Sequence, residues 1–244
     1  MKYLLIVYLL SVCWFSQAQE AKAKPCPCEN DLNEAFEARL KGKVYKRLFG
    51  LVGTEFYTST YLKGDIFLEN GEVAVDQFIR YNGRIDGLVL VPPYSREIQL
   101  DNYFIKSFSL KDYKDGVNLY FSKINVAKEF SKDSVQVFGQ ILYQNKLSLY
   151  AFRQYSYQYD VIENKGNKQI ASPFYGPSFI YYFILPGGKA IGFRKFKKGD
   201  IYAIFPDRKD EIKKLFRENH QRRFKTEDNL IKITELLNKI INTN

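Results

Sequence analysis

The sequence predicts a mainly β, β-rich α+β fold: an antiparallel sheet, with a partly open barrel as one way of closing it, covered by two C-terminal helices. Three observations carry that prediction. From Val44 to about residue 205, short runs of Tyr, Phe, Val and Ile are broken repeatedly by Gly, Asn, Asp and Pro, the pattern of successive strands and turns. Asn70-Gly71 and Asn82-Gly83 fall between such runs, and Asn-Gly readily takes the positive φ angles of a tight hairpin turn. Lastly, Ile212, Leu215 and Phe216, and then Leu230, Ile233, Leu237 and Ile240, recur at helical spacing near the C-terminus.

The N-terminus reads as an export signal over residues 1–18. Lys2 is a minimal basic start, Tyr3 to Phe15 is an apolar run, and Ser16-Gln17-Ala18 supplies small residues for signal peptidase. The run of about thirteen residues is too short to span a hydrocarbon core, which needs roughly twenty. A second reading is lipid attachment at Cys13, since Leu10-Ser11-Val12-Cys13 loosely resembles a lipobox, although Val12 is bulky for one. No later stretch is long and apolar enough for a transmembrane helix, so none is expected after cleavage. Residues 19–29 form a polar leader, and residues 30–244 a single β-rich domain.

That domain opens on a short helix with Leu32, Phe36 and Leu40 on one stripe, stopped by Gly42. Strands are then expected at 54–62, 65–69, 73–81, 85–91, 97–101, 103–110, 117–124, 134–143, 147–162, 178–185, 189–196 and 200–205. From Val135 to Ile141 apolar residues alternate with Gln136 and Gln140, which predicts one wet face. Phe179 to Leu185 is apolar on both faces and needs a cover on each side. Helices at 207–221 and 226–241 supply one of those covers, and a helical ending argues against an outer-membrane barrel.

Composition narrows the function less than it narrows the fold. The chain carries 37 Lys and Arg against 27 Asp and Glu, a net +10, and loss of Lys2 with the signal removes one charge. Such a balance suits an acidic envelope partner: an anionic glycan, lipid or protein face. Beyond Cys13 the only cysteines are Cys26 and Cys28, a candidate disulfide that Pro27 between them would strain. One histidine, His220, and no second cysteine pair leave no zinc spacing, so neither metal nor cofactor is expected.

No catalytic motif is present. Gly187-Gly188-Lys189 lacks the rest of a phosphate loop, and there is no Gly-x-Ser-x-Gly elbow. Paired carboxylates can lie far apart in a chain, and Asp65, Asp76, Asp86 and Asp101 sit near strand ends, where turn chemistry is their commoner job. Lys189, Gly192, Phe193 and Phe196 match an RNA-recognition strand, but Ala190, Ile191 and Arg194 do not, and an exported chain meets no cytoplasmic RNA. Two binding surfaces stay open. Tyr155, Tyr157 and Tyr159 share one strand face and would make an aromatic platform, or simply a half-buried sheet. Arg194, Lys195 and Lys197, with Arg222 and Arg223, would make a cationic rim if the helices pack beside that strand.

The stretch Gly64-Asp65-Ile66-Phe67-Leu68-Glu69-Asn70-Gly71, then Ile79-Arg80-Tyr81-Asn82 and Asp86-Gly87-Leu88, resembles exported proteins of Bacteroidota-type bacteria that have no assigned activity. The resemblance covers about residues 54–110 and the basic helical tail, and it implies an envelope location and β-structure without catalytic residues. The expectation is therefore an exported, envelope-associated binding or scaffolding protein, periplasmic, outer-membrane-associated or secreted, and non-catalytic. Two alternatives are a carbohydrate- or lipid-active enzyme using paired carboxylates, and a carrier of lipid or another hydrophobic ligand.

Overall fold

In the computed structural model the described residues are 40–47, 52–92, 96–112, 116–127, 134–165, 168–219 and 226–242. The signal, the leader, the predicted first helix up to residue 39, Cys13, Cys26, Cys28, His220, Arg222 and Arg223 all lie outside them, and Gly42, expected to stop that helix, starts a strand. Residues 41 to 244 belong to one compact unit.

Eleven strands form one antiparallel sheet: β1 (Gly42–Val44), β3 (Leu62–Leu68), β4 (Val73–Asn82), β5 (Gly87–Leu90), β6 (Ile98–Leu100), β7 (Ile105–Asp112), β8 (Val117–Ala127), β9 (Ser134–Tyr143), β10 (Ser148–Phe152), β13 (Ile180–Ile184) and β14 (Ala190–Phe193). Their order is β1-β6-β5-β4-β3-β7-β8-β9-β10-β13-β14. A long hairpin, β11 (Tyr155–Lys165) and β12 (Lys168–Pro177), makes a second sheet with β2 (Val52–Gly53). The β12–β2 pairing is parallel. The large sheet curls until β14 lies against β8, but β1 and β14 do not pair, so no barrel closes.

Most predicted strands are present, but β1, β2 and β12 are strands that the sequence pattern does not predict, and three predicted stretches differ. Residues 54–62 form no strand before β3; Phe56 makes only an isolated bridge to Asn82. The stretch 147–162 divides at Arg153-Gln154 into β10 and β11, which belong to different sheets. Residues 200–205 are not a strand: residues 200–204 lie in α1 (Lys198–Ile204), because Asp200 accepts the Lys197 amide at 2.8 Å and starts a helix there. That makes three C-terminal helices, with α2 (Lys209–Glu218) and α3 (Glu227–Asn242), where the sequence predicts two.

A turn forms at Asn70-Gly71 with Gly71 at φ +90°, but Asn70 is not at positive φ and four residues separate β3 from β4, so it is not the two-residue hairpin. At Asn82-Gly83 the loop is longer than a two-residue hairpin, spanning four residues between paired Asn82 and Gly87. Gly83 is needed there for space: a Cβ would lie 2.0 Å from the Arg153 carbonyl oxygen.

The double covering of β13 is also present. Phe183, with Leu147 and Leu149, packs under Ile201, Ile212, Phe216, Leu230, Ile233 and Leu237 of the helices. Ile180, Tyr182 and Ile184 pack on the opposite face against Ile124, Val137, Tyr150 and Phe152. A third group, Tyr81, Phe108, Phe121 and Phe138, stacks inside the curl of β4, β7, β8 and β9. Each such side chain contributes about 1.5–3 kcal/mol through burial.

The face of β9 read as wet is largely dry. Gln140 is buried and accepts the Arg153 Nε at 2.6 Å and the Tyr57 hydroxyl at 3.3 Å. Arg153, only 2 % exposed, stands at the centre of this network. Its two terminal nitrogens donate to the two Glu227 carboxylate oxygens in the first turn of α3, Nη2 at 2.9 Å. Its guanidinium lies 4.7 Å from the Phe179 ring and 5.1 Å from the Tyr57 ring. Tyr181 completes the cluster by donating to Glu227 at 2.8 Å. Burial pushes the Glu227 carboxyl up, but the Arg153 hydrogen bonds and charge outweigh it and hold it below its ordinary value.

Glu227→Leu would leave Arg153 buried without a counter-ion, at a cost of about 3 kcal/mol. Urea unfolding should show the midpoint falling at an unchanged slope. A loss under about 0.5 kcal/mol, the range of ordinary surface substitutions, would mean that the pair does not hold α3 to the sheet.

Candidate functional site

The site is built on the turn between β4 and β5. Asn82 opens it: its side-chain oxygen accepts the Arg84 amide at 3.0 Å and the Ile85 amide at 3.3 Å, while its Nδ2 donates to the Tyr45 hydroxyl at 2.8 Å. Arg84 and Tyr45 both donate to the buried Glu55 carboxylate, and the Gly83 amide donates to the Glu55 carbonyl at 2.9 Å. Asp86 closes the turn in the left-handed region, at φ +48°.

Such a backbone is costly for a non-glycine residue, and the Asp86 side chain accounts for it. β10 ends at Phe152, paired with Gly139. The amide of the next β9 residue, Phe138, donates instead to both Asp86 oxygens at 3.2 Å. Tyr81 donates its hydroxyl to Asp86 Oδ1 at 2.7 Å. The turn thus occupies the edge of β9 that β10 leaves open, although β4, β3, β7 and β8 separate β5 from β9 in the sheet. Burial of the carboxyl raises the Asp86 pKa to about 7, against the lowering effect of the Tyr81 and Phe138 hydrogen bonds.

Beside Asp86 lies a cavity of about 490 Å³. Glu69 from the β3–β4 turn, Lys123 of β8, Gln136 and Phe138 of β9, and Asn102 to Phe104 line it. Asn102 to Phe104 form a 3₁₀ turn, begun by Asp101, whose Oδ1 accepts the Tyr103 amide at 3.0 Å. Asn102 donates its Nδ2 to the Asp86 carbonyl, but its buried Oδ1 has no donor among the described residues. Lys123 is committed to Glu69 at 2.7 Å. The cavity therefore offers the carboxylates of Asp86 and Glu69 and the side-chain amides of Asn102 and Gln136, beside the rings of Tyr103, Phe104 and Phe138. Asn102 and Phe104 also border a second cavity of about 530 Å³, with Lys41, Lys43 and Asp101 on its wall.

Of the four carboxylates singled out in the sequence, Asp86 alone lines the first cavity. Asp65 and Asp76 share Lys111, at 3.4 and 2.8 Å, and Asp65 accepts the Asp76 amide at 2.9 Å, so they fasten the bulge between β3 and β4. Asp101 caps the 3₁₀ turn. Glu69 and Asn102 were not singled out; Glu69 begins an Asn-Gly turn, and its meeting with Lys123 spans 54 residues of chain.

The tyrosine stripe splits. Tyr155 is 8 % exposed and packs against Phe179, because β11 begins inside the body of the protein. Tyr157 and Tyr159, 43 % and 66 % exposed, lie farther out on the hairpin. Tyr175 of β12 joins them, and Tyr157 meets the Tyr159 and Tyr175 rings edge-on at 5.2 and 5.6 Å. This is a stepped ladder, not a flat platform. Arg194, Lys195 and Lys197 are exposed beyond β14, and Arg194 donates to Ser178 Oγ at 2.5 Å. A rim that includes Arg222 and Arg223 lies outside the described residues.

Among the described residues, no three His, Cys, Asp or Glu side chains are grouped to hold a metal ion, and no helix is long and apolar enough to cross a membrane. Compared with protein-family models, with curated proteins and with solved structures, the chain matches none.

A carboxyl whose folded pKa is raised binds a proton that the unfolded chain has already released. Stability should therefore fall as pH rises from the ordinary Asp value toward about 7, and stay level above that. The limiting slope is about 1.4 kcal/mol per pH unit. Asp86→Asn, which keeps an acceptor for Phe138 and Tyr81, should flatten that slope in unfolding measured between pH 5 and 8. Identical pH profiles for the two proteins would exclude a proton on Asp86 in that range.

Proposed function

We propose that this is an exported, envelope-associated binding protein, non-catalytic, that holds a hydroxyl-rich ligand such as a glycan unit in the cavity beside Asp86. The observation that carries this reading is the cavity's lining, where the Asp86 and Glu69 carboxylates and the Asn102 and Gln136 amides meet three aromatic rings. Sugars bring many hydroxyl donors and apolar C–H faces, which suit an acceptor cluster flanked by rings. The carboxylate and amide lining favours such a ligand over an acyl chain. The signal-like N-terminus and the resemblance to exported proteins support an envelope location.

A second reading has one observation of its own. Asp86, with a pKa of about 7, shares the cavity with Glu69, and a carboxyl that keeps its proton near neutrality beside a second carboxylate is the equipment of glycoside hydrolysis.

Oligosaccharides and polyols, titrated into the mature protein, should include one that raises the melting temperature saturably. At free ligand a hundredfold above its Kd the stabilisation is about 2.7 kcal/mol. Phe104→Ala and Gln136→Ala should each weaken that ligand about tenfold, a loss of roughly one good contact. Absence of any saturable hit, or a hit indifferent to both substitutions, would overturn the binding site. Release of new reducing ends, abolished by Asp86→Asn, would establish the hydrolytic reading instead.

A further inference from the structure

Arg80 of β4 is a half-buried cation whose charge finds no carboxylate within ion-pair distance among the described residues. Its guanidinium lies 3.8 Å over the Phe56 ring and 5.2 Å from the Tyr61 ring. Two of its nitrogens, Nε and Nη2, donate to the single carbonyl of Thr58 at 3.2 and 2.9 Å. Burial is the main influence on this group, and it lowers the Arg80 pKa.

The nearby carboxylates are already engaged. Glu97 receives Arg47, through Nε at 2.8 Å and through Nη2, and the Tyr61 hydroxyl at 2.6 Å. Glu55 receives Arg84 and Tyr45. Three arginines therefore face two carboxylates, and Arg80, which feels Glu97 only from beyond ion-pair distance, is the one that the rings hold in place.

Arg80 opens onto a cavity of about 210 Å³, lined also by Arg47, Gly53, Thr54, Glu55, Phe56 and Tyr175. Thr54 Oγ1 accepts the Phe56 amide at 3.1 Å, which leaves its hydroxyl hydrogen available to donate into the cavity. A planar guanidinium stacked on an aromatic ring, with donors to spare, is suited to recognising phosphate, sulfate or carboxylate oxygens. We propose that this cavity is an oxyanion site, separate from the cavity beside Asp86, in which Arg80, Arg47 and the Thr54 hydroxyl bind a compact phosphate- or sulfate-type group. The proposal does not depend on the glycan reading. Its ligand would be the acidic substituent of a larger envelope molecule or the free ion.

The test is titration of the mature protein with inorganic phosphate, sulfate and acetate, with sodium chloride holding ionic strength constant. The readout is the melting temperature. Sulfate and phosphate also stabilise proteins generally, by exclusion from the surface, and that effect grows without saturating. The expected result is a saturable rise on top of it for phosphate or sulfate. Arg80→Gln and Thr54→Val should weaken the saturable part about tenfold or more and about threefold, respectively, while leaving the general effect intact. Should Arg80→Gln fail to fold, Arg47→Gln and Thr54→Val carry the test, since Arg47 is exposed and Thr54→Val keeps the side-chain shape, losing with the hydroxyl one bond from the Phe56 amide. Saturation by phosphate alone or sulfate alone assigns the group. A purely unsaturated rise in the wild-type protein, or saturation unchanged in every variant, would overturn the proposal.

Discussion

Burial of the Arg153 guanidinium is the constraint around which this protein is arranged. A charge withdrawn from water must be met in full, and Arg153 is met by Glu227 of α3, Gln140 of β9 and the rings of Tyr57 and Phe179. Those partners come from elements that share no strand pairing with residue 153. The ion pair brings the start of α3 to the end of β10, so the helices cover the β10–β13 face in one orientation. It also marks where the chain leaves the large sheet, since the next strand, β11, belongs to the small one.

That departure creates the opening in which the candidate site forms. β9 continues past the end of β10, and its free edge would expose unpaired amides inside a curled sheet. The turn between β4 and β5 supplies the missing acceptor through Asp86, and Gly83 accepts the Tyr155 amide at 3.1 Å on the other side. Closing the curl with a turn in place of a strand brings polar side chains to positions that a continuous barrel would fill with apolar ones. The same turn is secured from behind by Asn82, Tyr45, Arg84 and Glu55. Two cavities of different character therefore border one short stretch of chain, an acceptor-rich one beside Asp86 and a cationic one beside Arg80 and Glu55.

The stretch from Arg80 to Asp86 holds the site together. Arg80 stacks on Phe56, Tyr81 holds Asp86 from within the core, Asn82 shapes the turn, and Asp86 ties it to β9. Among the candidate site residues, Asp86 was visible in the sequence only as one strand-end aspartate among four. Its distinction comes from burial against a strand that lies 52 residues away in the chain. Glu69 and Asn102 could not be picked out, because one looks like a turn residue and the other like a loop amide until Lys123 and the Asp86 backbone are set beside them. Tyr155 and Tyr159 share a pattern but not an environment, since one stands at the root of the hairpin and the other farther along it.

The features legible in the residues are local: strand and helix periods, the Asn70-Gly71 turn, the two-sided burial of β13 and the apolar stripes of the last helices. These follow from the spacing of apolar residues and from the backbone preferences of Gly and Asn, which act over a few residues. The helix at 198–204 escaped because its apolar residues fit a short strand equally well, and the Asp200 cap decided between them. The burial of Arg153, the completion of the β9 edge by a turn, and the choice of carboxylates and arginines that share a cavity were settled by the folded arrangement. The physical reason is that charge and hydrogen-bond satisfaction depend on distances in space, and those distances exist only once the sheet has curled.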